Sequence, residues 1–180
     1  LEEAGRKDLK NQLSYCLHEL AVNAKKANTK RIYFFDKQLN MENLAEYYIG
    51  MDNFKENTID NIDYYIRKIR EHGLYVKFQF YLNETHLNIS VRNNCEMTEI
   101  EAVRVNRKIR AADLYATMAE AYKHIEDNSE GAGLGLVMML IMLRSLGLGA
   151  DCLSISCRDG ETVARLLIPV YEAQDLFIQN

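Results

Sequence analysis

Leu9, Leu13, Leu17, Leu20, Ala24 and Ala27 recur every three or four positions, which predicts an amphipathic helix from about Asp8 to Ala27. The run "KRIYFF" that follows, Lys30 to Phe35, predicts a strand. Within residues 40–73, Ile59, Ile62, Ile66 and Ile69 fall on one helical stripe that closes on Gly73, a residue suited to a C-terminal cap, so a second long helix is expected there. Val76, Phe78, Phe80 and Leu82 then alternate with polar or amphipathic neighbours. "NET" supplies a turn, and Leu87, Ile89 and Val91 alternate again, the pattern of a hairpin. Residues 98–126 return to helical spacing, with Leu114, Met118, Ala121 and Ile125 on one face, and lead into the glycine-rich "EGAGLGL". A nearly all-apolar helix from about Leu134 to Leu146 must be buried on most sides. "CLSISC" and "TVARLLIP" form two closing strands around an Asp159-Gly160 turn.

This order predicts an α+β fold, a two-layer sandwich with helices on one face of a mixed, mainly antiparallel sheet. With 180 residues, 48% of them hydrophobic and only one proline, a single domain spanning residues 1–180 has enough material for a substantial core. The formal net charge is -4 and the basic residues are scattered, so nucleic acid is not an expected partner. Cys16, Cys95, Cys152 and Cys157 lack metal-site spacing and lie mostly in apolar patterns, which implies a reducing cytoplasm rather than a disulfide scaffold or a zinc site. The longest apolar run, "LGLVMMLIML", is too short to cross a bilayer, and no signal-peptide pattern opens the chain, so no membrane insertion of this segment is expected. Residue 1 falls just before a helix, as it would in a domain cut from a longer protein.

Two stretches carry candidate chemistry. In "HELAVNAKKAN", residues 18–28, Glu19 and Asn23 stand four positions apart and project from one helix face. "GAGLGL", Gly131 to Leu136, enters the buried helix, where free backbone N–H groups and the helix dipole attract phosphate. It is neither a P-loop, lacking Gly-Lys-Ser/Thr, nor a dinucleotide fingerprint, lacking the preceding strand.

"HELAVNAKKA" resembles the first-helix motif of the histidine-kinase-like ATPase superfamily, the Bergerat ATP-binding fold. That fold is shared by histidine kinases, gyrase, heat-shock chaperones, mismatch-repair ATPases and anti-sigma-factor serine kinases. "GAGLGL" matches its second glycine motif, and "SISCRDGETVARLLIP" resembles its closing hairpin, so the likeness runs in order from about Asp8 to Pro169. The resemblance implies a cytoplasmic signalling domain that binds Mg2+ and ATP or ADP. Asn23 would hold magnesium and Glu19 would position or deprotonate the attacking group. Lys26, Asn93, Gly131, Gly133, Leu134, Gly135 and Thr162 would complete the nucleotide site. Residues 98–130 take the place of a lid over the nucleotide, with Arg107, Lys108 or Arg110 reaching phosphate, and residues 40–73 become a helical insertion between two strands. The implied activity is that of an ATP-dependent protein kinase or ATPase. The implied partners are an adjoining sensor or regulatory domain and, in a homodimer, a second copy.

One motif departs from the family. Where Asp-x-Gly-x-Gly is usual, this chain has Asn93, Cys95 and Met97. An asparagine oxygen still accepts a hydrogen bond from adenine, but loss of the charge costs on the order of 1 kcal/mol, and an amide that also donates relaxes the preference for adenine over guanine. The alternative is therefore a degenerate, non-catalytic interaction module on the same scaffold. Two rival placements stay open. Asn57 and Asn61 in "NTIDNIDYY" have the spacing of the sensor-kinase motif, and His18 begins a "HEL" like that of phosphoacceptor helices but lacks the Arg-Thr-Pro-Leu continuation.

Overall fold

The computed structural model describes residues 1–125 and 134–170, apart from the side chains of 122–125 and 150. After a 3-10 turn at Lys7–Leu9, helix α1 runs unbroken over Lys10–Asp36, followed by α2 (Leu44–Asp52), α3 (Phe54–Asp60) and α4 (Ile62–Glu71). Strands β1 (Val76–Leu82) and β2 (His86–Asn93) form the first hairpin. Helices α5 (Glu99–Ala112), α6 (Met118–Ile125) and α7 (Leu134–Ser145) precede the second hairpin, β3 (Leu153–Arg158) and β4 (Glu161–Pro169).

The sheet order is β1-β2-β4-β3. Every pairing is antiparallel, so the expected mixed sheet is instead purely antiparallel among the described residues. Both hairpins form as the alternation predicts. At the second, Asp159 (φ 53°) and Gly160 (φ 79°) take the paired left-handed conformations of a tight two-residue turn. Period-two burial puts Leu87, Ile89 and Val91 of β2 opposite Ile168, Leu166 and Ala164 of β4 on the inner face. Against that face lie Leu13, Cys16, Leu20 and Ala24 of α1 and Met139 and Leu143 of α7, completing a two-layer α+β sandwich. As expected, α7 is enclosed, with Leu136 through Ile141 all buried. No described helix is long and apolar enough to cross a membrane.

Three further expectations are corrected. "KRIYFF" is the last part of α1, not a strand: Ile32, Tyr33 and Phe34 are all buried, because a second cluster of Met41, Tyr47, Met51, Phe54 and Tyr65 surrounds the helix end on several sides. A short apolar run fits either a buried strand or such a helix end. The helix also stops without glycine, Gln38 taking the left-handed conformation (φ 55°) while the Leu39 N–H donates to the Phe34 carbonyl. Residues 40–73 are therefore helical but lie between a helix and a strand.

Next, the long isoleucine-striped helix breaks at Asn61 (φ -119°, ψ 34°), whose amide donates to the Asn57 carbonyl at 2.9 Å. The break changes the phase of the face, so Ile59, Ile62 and Ile66 are exposed while Phe54 and Tyr65 are buried. Finally, the helix expected over 98–126 is two helices: Leu114 lies in the link between them and is 76% exposed, Met118 is exposed, and Ala121 alone of the three is buried.

Candidate functional site

Glu19 and Gly135 are in contact. A Cβ built on Gly135 would stand 1.9 Å from Glu19 Oε2 and 2.8 Å from its Cδ, so the carboxylate occupies the space a side chain would need. Gly135 is the second residue of α7, in the first turn, at the positive end of the helix dipole. The first-helix motif and the end of the glycine motif thus meet. Gly131 and Gly133 lie outside the described residues; Leu134 is half-buried against the main core.

From that contact a polar stripe runs along α1 at helical spacing: Glu19, Asn23, Lys26, Lys30. Asn23 is exposed one turn beyond Glu19. The lysines are crowded by cations from α5. Burial, then the charges of Arg104, Lys26 and Lys30, push Lys108 down to about 8. Burial, then Lys30, Arg104 and Lys55, lower Lys26. Positive charge is therefore concentrated between α1 and α5, and an anion placed there would relieve the repulsion. Of the residues expected in the lid, Lys108 belongs to this cluster, while Arg107 and Arg110 are exposed.

One carboxylate balances the far end of the stripe. Glu101, 7% exposed, receives Lys30 Nζ at 3.0 Å and Arg31 Nη1 at 3.2 Å. Burial alone would raise its pKa, but the Arg31 hydrogen bond and the charges of Lys30 and Arg31 outweigh it and hold the carboxyl at about 2. Glu101 also closes a capping box with Thr98 at the start of α5, Thr98 N–H to Glu101 Oε2 at 3.2 Å and Glu101 N–H to Thr98 Oγ1 at 3.3 Å.

Asn93, at the end of β2, is 3% exposed and turned inward. Its amide donates to Asn28 Oδ1 at 3.2 Å, and the Cys95 thiol donates to the same oxygen at 3.3 Å. The Asn28 amide in turn donates to the Tyr75 carbonyl at 2.9 Å, and Thr162 Oγ1 donates to the Cys95 carbonyl at 2.6 Å. Asn93 and Cys95 are thus both tied to the Asn28 side chain. Met97 lies outside this knot, in a cleft of about 320 Å³ between α5 and β3 that Val105, Ile155 and Cys157 also line.

The rival pair is engaged elsewhere. Asn57 donates to the Asn53 carbonyl at 2.9 Å and to Tyr33 Oη at 3.3 Å, beside the second cluster, and Asn61 is spent on the helix break. His18 is exposed on α1. Sequence reading missed Asn28, Glu101 and Arg104. Asn28 had a signal: it extends the buried Leu20–Ala24 stripe by one turn, so a polar side chain sits where an apolar one belongs.

The divalent cation implied by the resemblance fits this donor set in one respect. Among the described residues no group of three His, Cys, Asp or Glu side chains could hold a metal, whereas the exposed Asn23 offers one amide oxygen on the same helix face as Glu19. Magnesium is commonly held by one or two protein oxygens, with phosphate and water filling the rest of its shell.

Gly135→Ala should cost little stability, since it displaces only the end of a flexible side chain and gains up to about 1 kcal/mol of helix propensity. In a Glu19→Ala background the same substitution should become stabilising, with a coupling of roughly 1 kcal/mol in a double-mutant cycle read from urea midpoints.

The chain is thus a two-layer α+β domain in which Glu19 of α1 meets Gly135 of α7, with a cluster of cations between α1 and α5. It is similar to an uncharacterized protein of Treponema pallidum (strain Nichols), with 44% identity over 169 residues that cover 94% of this chain and 33% of that protein. The chain therefore spans about a third of the length of the curated relative it matches. No family model matches it, and no solved structure does.

Proposed function

We propose that this is a cytoplasmic signalling domain of the histidine-kinase-like ATPase fold that binds magnesium ATP or ADP chiefly by its phosphates. The observation that carries the reading is the seating of Glu19 against Gly135, which joins the Glu-x-x-x-Asn helix to the entry of α7. The order of elements, with a motif helix, a hairpin, a buried helix and a closing hairpin, supports the Bergerat arrangement. The crowded cations Lys26 and Lys108 support an anion beside Asn23. In this reading Asn23 holds magnesium, Lys26 and Lys108 neutralise phosphate oxygens, and Glu19 orients the group that attacks the γ-phosphorus, a protein side chain or water. Asn93 contributes to the fold of the site rather than to base selection, because its amide is committed to Asn28.

That commitment also favours a second reading, a non-catalytic interaction module that keeps the scaffold without the nucleotide. Thermal unfolding separates the two. Mg-ADP at a hundred times its Kd should stabilise by about 2.7 kcal/mol, a rise of roughly 5–10 °C in Tm. Mg-GDP should give a similar rise and adenosine none. A shift with neither nucleotide would leave the interaction module standing; a shift confined to adenine nucleotides would contradict phosphate-dominated binding.

A further inference from the structure

Among the described residues, strand β1 is outermost in the sheet and pairs on one side only, with β2, in unbroken register from Val76 opposite Asn93 to Leu82 opposite Leu87. Proteins blunt such edges with charges, prolines or bulges. β1 carries a single charge, Lys77, and neither of the other devices. Its inner-face side chains are open although their β2 neighbours are buried: Phe78 is 44% and Phe80 61% exposed, beside Val91 at 2% and Ile89 at 3%. The helical layer stops short of this strand. Leu13 and Leu17 of α1 line, with Phe80 and Leu82, a mainly apolar cleft of about 300 Å³ that Glu3 and Lys10 also border.

We propose that β1 pairs antiparallel with β1 of a second copy of this chain, about a two-fold axis through Gln79. In a symmetric antiparallel pair, residues opposite each other share a face, so the axis must pass through a residue position. Gln79 is the midpoint of Val76–Leu82, and only the register centred there pairs the whole strand. On the inner face it sets Val76 against Leu82 and Phe78 against Phe80 of the second copy. On the outer face it sets Lys77 against Tyr81 and Gln79 against itself. The two lysines are thereby kept apart, each opposite an aromatic ring, an attractive pairing on a sheet surface. The two exposed phenylalanines of each copy cover those of the other, and the two open edges become one eight-stranded sheet.

The test uses cysteine placement in the 180-residue chain, with Cys157→Ser to remove the exposed native thiol. Residues facing each other across the axis lie about 4.5–5.5 Å apart between Cα atoms, within disulfide reach. Gln79→Cys should therefore cross-link to a dimer under copper-phenanthroline. Lys77→Cys alone should not, its two copies lying roughly 13 Å apart along the strand, whereas Lys77→Cys combined with Tyr81→Cys should. Phe80→Lys should leave the urea midpoint unchanged at protein concentrations dilute enough to keep both chains monomeric, and weaken dimerisation at least about tenfold in sedimentation equilibrium. A wild-type chain that stays monomeric, or cross-linking at position 77 as readily as at 79, would overturn the proposal. Both readouts are independent of nucleotide.

Discussion

Glu101→Ala is expected to lower the unfolding free energy by about 3–5 kcal/mol at neutral pH, the usual consequence of removing one partner from a buried ion pair. Lys30 and Arg31 have side chains only 12% and 21% exposed, so loss of the carboxylate leaves two poorly hydrated cations without their anion. Lys30 already lies beside Lys26 and Lys108, and the truncation would also remove one half of the Thr98 capping box. The pH dependence has a definite sign. The carboxyl lies at about 2 in the folded chain against 4.5 ordinarily, so the stability it contributes is fully present above 4.5 and is lost as pH falls toward 2. Glu101→Gln should therefore flatten the acid limb of the stability profile between those values, as read by urea unfolding at a series of pH values. An unchanged midpoint at neutral pH would show that the cations find water instead.

Asn28→Ala should cost about 2–4 kcal/mol, because a buried polar group left unpaired carries most of its desolvation penalty. The substitution strips the Tyr75 carbonyl of its donor and leaves the Asn93 amide and the Cys95 thiol without their shared acceptor, all within a region where Asn28 is 1% exposed. Urea unfolding would measure the loss. Cys95, whose thiol burial pushes up from its usual range, should in parallel become reactive toward Ellman's reagent. Wild-type stability and a silent Cys95 in this variant would mean the knot is dispensable.

The parts of this fold written in local periodicity were legible. The alternating hairpin Val76–Leu82 with His86–Asn93, the Asp159-Gly160 turn and the apolar helix α7 each announce themselves within one short continuous stretch of chain. What failed depended on distant packing. Ile32–Phe34 form a helix because the side chains of α2, α3 and α4 close around them, and nothing inside "KRIYFF" records that enclosure. The isoleucine stripe failed because Asn61 back-bonds to the Asn57 carbonyl and resets the helix phase, a choice that periodicity over the whole segment averages away. For the site, the helical offset of Glu19 and Asn23 was readable, but the pairing of Lys30 and Arg31 with Glu101 spans 70 or 71 positions in sequence. Asn93 was legible as a departure from a motif, yet its true partner, Asn28, comes from a helix turn that looked like the end of an amphipathic pattern.

The most direct test of the proposed phosphate site is calorimetric titration of Mg-ADP into the wild-type chain and into Asn23→Ala, each with and without magnesium. The account predicts saturable one-to-one binding that weakens at least about tenfold when either the amide or the metal is removed. Absence of heat with the wild-type chain, or equal affinity in Asn23→Ala, would contradict it.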